Sequence, residues 1–93
     1  MGIVEEITQD PLTQLEYEME VVIREFVSTK KELQKLLSAY GVSRADEIEM
    51  KMKAGDLEEH PTYEDYLSAL QLEMNLDELR RLLAEKYSRL INQ

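Results

Sequence analysis

The chain has no cysteine, three glycines and two prolines in 93 residues, and nowhere a run approaching about 18 consecutive apolar residues. Without cysteine there is no disulfide framework, thiolate zinc site or thiol nucleophile. Without a long apolar run there is no membrane-spanning helix. The opening Met1-Gly2-Ile3-Val4-Glu5-Glu6 also lacks the charged start and apolar stretch of a signal peptide, so a cytoplasmic protein with no membrane partner is expected. Gly2 does not make a myristoylation site, because Glu6 stands where that motif wants a small hydroxyl residue. Positive charge is short as well. Eleven Lys and Arg stand against 20 Asp and Glu, and the resulting −9 repels a phosphate backbone and disfavours nucleic acid as a partner.

What is present is a pattern. Apolar residues make up 43% and charged residues 33% of the chain, a balance that folds as one domain around a modest core. Leu12, Leu15, Met19, Val22, Phe26, Thr29, Leu33, Leu36 and Tyr40 follow a 3-4 spacing with one polar member. That spacing predicts a long helix presenting a narrow apolar seam to another helix.

Local signals divide the rest. Asp10-Pro11 reads as a helix start, with Asp as cap and Pro at the first position, where no donor is needed. Gly41 stops that helix, with Val42 folding back on Leu37. Ser43 restarts the chain, with Asp46 and Glu47 in the first turn, and Gly55 ends a short second helix carrying Ala45, Ile48 and Met52 on one face. Asp56 to Pro61 is an acidic loop. Thr62 is expected to cap a last helix with two apolar stripes. Tyr63, Tyr66, Leu67, Leu70 and Met74 form the first; Leu72, Leu76, Leu79, Leu83, Tyr87 and Leu90 form the second. Asn75 with Glu78 leaves a break in this helix as an alternative.

The expected fold is all-α: a long antiparallel helical hairpin (helices about 11–40 and 63–91) with a short middle helix (about 44–54) across the end. Residues 1–10 are expected to be a loose N-terminal arm and 11–93 a single helical domain. Charge favours the antiparallel order, because the acidic start of the first helix (Glu16, Glu18, Glu20) would lie beside the basic end of the last (Arg80, Arg81, Lys86, Arg89).

Candidate chemistry is sparse. His60 is the one histidine, and Glu58-Glu59-His60 splay too much for a metal site. Carboxylate pairs such as Glu16 with Glu20 flank the seam and look outward rather than converging on a magnesium ion. The basic cluster near the C-terminus lacks interleaved aromatics. No nucleophile–base pair, phosphate-cradling glycine loop or zinc motif occurs, so no catalytic, cofactor or metal residue is assigned and the chain reads as a non-enzyme. The candidate partner-binding residues are Phe26, Leu33 and Leu36 on the seam, and an acidic-aromatic corner made of Tyr63 and Tyr66 with Asp56, Glu58 and Glu59.

The segments Tyr40-Gly41-Val42-Ser43, Asp46-Glu47, Ala54-Gly55-Asp56-Leu57 and Tyr63-Glu64-Asp65-Tyr66, followed by an amphipathic helix, resemble a group of small all-helical archaeal and bacterial proteins encoded beside toxin-like genes. The resemblance implies an antitoxin-type partner protein. Two leading functional expectations stand, with a third behind them. One is a small acidic interaction protein, an inhibitor or adaptor whose partner is another protein, such as a basic toxin. The other is a structural coiled-coil homodimer, in which the partner is a second copy. A metal-dependent helical hydrolase is the third and weakest reading.

Overall fold

A computed structural model describes residues 10–92, which form three helices and no strand: α1 (Pro11–Ala39), α2 (Ala45–Lys53) and α3 (Glu59–Ile91). The expectation of a loose arm falls on residues almost all outside this range. The helices α1 and α3 run antiparallel as a long hairpin, and α2 packs on α3 across its closed end. The molecule measures 65 × 27 × 15 Å, so the hairpin is a single layer of helices.

Each helix end has a local cause. At the start of α1, Asp10 accepts the Leu12 N–H at 3.1 Å and the Thr13 hydroxyl at 2.8 Å, while Pro11 takes the first helical position. At its end Gly41 adopts φ +65°. The Val42 N–H then reaches the Leu37 carbonyl and the Gly41 N–H the Ser38 carbonyl, each at 3.1 Å, the paired bonds of a Schellman stop. Gly55, at φ +82°, ends α2 in the same way, with Asp56 bonded to Lys51 and Gly55 to Met52.

Two local expectations change, and one alternative falls away. Arg44 rather than Ser43 occupies the cap position of α2, and no side chain of its own turn caps it. Glu73 supplies the bond from α3, accepting the Ala45 N–H at 2.9 Å. Thr62 does not cap α3 but lies buried inside it. Helical assignment begins at Glu59, yet His60 has extended backbone (φ −122°, ψ 121°), as the residue before a proline prefers, so the regular helix starts at Pro61. Finally, α3 runs unbroken past Asn75, whose side chain accepts from Gln71 at 3.0 Å within the helix.

The core sits at the closed end. Leu33, Leu37, Ala45, Ile48, Ala69 and Leu76 are buried together, with Phe26, Leu36, Tyr40, Val42, Tyr66, Leu70 and Leu72 packed around them. Toward the open end α1 adds the buried Leu15 and Val22. There Lys86 donates to Glu18 at 2.8 Å, with Arg89 3.9 Å from the same carboxylate. The expected cross-helix charge pairing is thus realised through Glu18. Glu20 instead faces Arg24 on its own helix.

Candidate functional site

The structure separates the partner-binding candidates into two groups. Leu33, only 7% exposed, belongs to the internal core, and Phe26 and Leu36 are half-buried against it. The seam is therefore used to hold the hairpin together, and these three side chains are committed within the chain. Phe26 is also flanked by cations, with Lys30 Nζ 5.9 Å and Arg80 Cζ 5.7 Å from the ring centroid.

The acidic-aromatic corner forms in part. Tyr63 is 53% exposed, with its ring 6.2 Å from that of Tyr66. Tyr66 is half-buried on the core, and burial, followed by the nearby Glu49 carboxylate, raises its hydroxyl above the ordinary tyrosine value. A shallow cleft of about 460 Å³ opens here between α2 and the start of α3, lined by Glu49, Met52, Lys53, Glu59, His60 and Tyr63. Glu59 joins the cleft; Asp56 and Glu58 are exposed beside it without lining it. His60 Nδ1 lies 3.7 Å from Glu64 at the surface.

Hydrogen bonds tie the three helices together at this corner. Tyr40 donates its hydroxyl to Asp65, and its carbonyl accepts from Lys51 Nζ at 3.0 Å, so α2 satisfies the C-terminus of α1 while α3 satisfies the N-terminus of α2. The Asp65 bond, helped by burial, raises the Tyr40 phenol above its ordinary value.

A second surface is one the sequence does not assign. Beside the seam residues Leu12 and Met19, α1 carries the apolar Ile23 and Val27, each 44% exposed. It meets the last turns of α3 in two connected hollows of about 490 and 440 Å³ that share Met19 and Ile23. Leu12, Glu16, Glu20 and Leu90 line the outer end of this groove, and Arg80, Leu83, Ala84 and Tyr87 the inner end. The signal that could have found it is the four-residue spacing that continues from the seam's Met19 to Ile23 and Val27, off the seam.

Among the described residues no group of three or more His, Cys, Asp or Glu is placed to hold a metal ion, and no helix is long and apolar enough to cross a membrane. Fold and surface together define a capped helical hairpin with an apolar groove open along its free end. The chain belongs to the Uncharacterized protein MJ0235 family, whose model matches residues 4–88. Neither the curated proteins nor the solved structures contain a match.

Proposed function

We propose that this chain is an interaction protein that binds another protein chain through helix–helix contact at the open-end groove. The observation that carries this reading is the exposure of Leu12 and Ile23 on the same side as Tyr87 and Leu90. Contiguous apolar surface on a preformed helical layer is what a partner helix buries.

A second reading assigns the contact to the acidic corner. Residues 44–65 hold eight acidic and three basic side chains, and the exposed Tyr63 ring stands among Glu49 and Glu59. That combination suits a basic partner and is the form the antitoxin-type inhibitor would take.

Affinity capture with the tagged full chain tests both. Ile23→Glu should lose the captured chain while keeping wild-type helicity, and Tyr63→Ala should keep it. Loss with Tyr63→Ala alone would move the contact to the corner. Undiminished capture by both variants would overturn both readings.

A further inference from the structure

We infer that the open-end groove is covered by a second copy of this chain, laid antiparallel about a two-fold axis near Ile23. This rests on the reading of the groove as a contact surface and names its occupant.

The first support is charge order along the groove. Its outer end carries Glu16 and Glu20, and its inner end carries Arg80, with Lys30 one turn beyond Phe26. The groove lining thus holds two acids and one base, with Lys30 beyond its inner end, although the chain as a whole is −9. A surface acidic at one end and basic at the other complements itself when rotated end for end, as a two-fold interface requires. With the axis at Ile23, Glu16 of each copy comes level with Lys30 of the other, since the two residues lie seven positions to either side of Ile23.

The second support is where the remaining charge lies. Eight of the 20 acids fall in residues 44–65, at the closed end. The antiparallel arrangement places the two closed ends on opposite sides of the axis. At 1.5 Å per helical residue from Ile23 to Ala39, they stand roughly 50 Å apart, several times the ~10 Å screening length of ordinary salt. A parallel dimer would set the two acidic ends side by side.

The third support is thickness. A hairpin 15 Å through its short axis is one layer of helices, and domains bury apolar faces by packing a second layer upon the first. Stacking two hairpins face to face makes a four-helix bundle with Ile23, Leu83 and Tyr87 in its middle.

The test is the light-scattering mass of the full chain at micromolar concentration, read with one thiol probe. The wild-type chain should weigh about twice its 10.9 kDa. Ile23→Glu should weaken association on the order of 100-fold, since it strands a charge in the apolar interface, with helicity unchanged. Glu16→Lys should weaken association, and adding Lys30→Glu to it should restore the dimer, which a merely structural effect would not do. In the otherwise cysteine-free chain, Ile23→Cys should form a disulfide-linked dimer on oxidation, and Glu58→Cys should not.

A monomer at these concentrations overturns the second-copy inference. If the thiol of the Ile23→Cys variant reacts freely with a thiol reagent in that monomer, the groove is open and its reading as a site for a different protein stands. If the same thiol is protected in the monomer, the chain covers the groove itself and both readings fall.

Discussion

The carboxylate of Glu73, midway along α3, accepts the backbone N–H of Ala45 at 2.9 Å, so the third helix caps the second across 28 positions of sequence. Glu73→Ala should cost about 1 kcal/mol, the usual value of a lost cap. Amide hydrogen exchange should show the loss as faster exchange through the first turn of α2, with α1 little affected. Unchanged protection at Ala45 would mean another group satisfies it.

Core and corner should respond differently to truncation. Ile48 is fully buried within the central cluster, and Ile48→Ala should destabilise by about 2–5 kcal/mol. The exposed Tyr63 should tolerate Ala within about 0.5 kcal/mol. Urea unfolding of the two variants checks the contrast.

Gly41 and Gly55 hold positive φ, yet a Cβ at either would meet nothing within 4 Å. Gly41→Ala and Gly55→Ala should therefore each cost only the backbone term, about 1–2 kcal/mol. Asn at either position should cost less than Ala, because it tolerates the left-handed conformation. Thermal unfolding of the Ala and Asn pair at each site reads the difference.

The helix contacts also set a pH window. The hydrogen bond from Lys86, then that from Gln14, lowers the Glu18 carboxyl below its ordinary value of 4.5. Hydrogen bonds from Thr13 and Leu12 lower Asp10 below 3.8. A depressed folded value means that the stabilisation is present above the unfolded value and is lost as pH falls through the folded one. Melting temperature should therefore decline below about pH 4.5, less steeply in Glu18→Gln. The Tyr40 phenol is raised above 10.0, so its contribution is complete below pH 10.0 and is lost as pH rises through the folded value. Tyr40→Phe should cost about 1 kcal/mol near neutral pH and flatten the alkaline decline. Identical acid and alkaline limbs in wild type and variants would refute these assignments.

Much of the hairpin is legible because its signals are local. Asp10-Pro11, Gly41 and Gly55 mark helix ends through chemistry that acts within a few residues, and the 3-4 spacing from Leu15 to Tyr40 picks out the packed face. The cap from Glu73 is not legible, since nothing near Ala45 announces a carboxylate 28 residues away. The placement of Thr62 also depends on tertiary contact, because it lies buried beside the Tyr40 hydroxyl. The groove escapes the sequence for another reason. The seam at Leu33 and Leu36 fits a partner in the same chain as well as one outside it, and periodicity alone does not distinguish the two. Once α3 claims the buried part of the seam, Ile23 and Val27, with the exposed seam end at Leu12, become the surface left over.

The most direct measurement is the melting temperature of the full chain across a range of concentrations, beside that of Ile23→Glu. Association through the groove stabilises by mass action, so the wild-type midpoint should rise with concentration, while that of Ile23→Glu should be lower and flat. Two flat curves that superimpose at every concentration would contradict a groove completed by another copy of the chain.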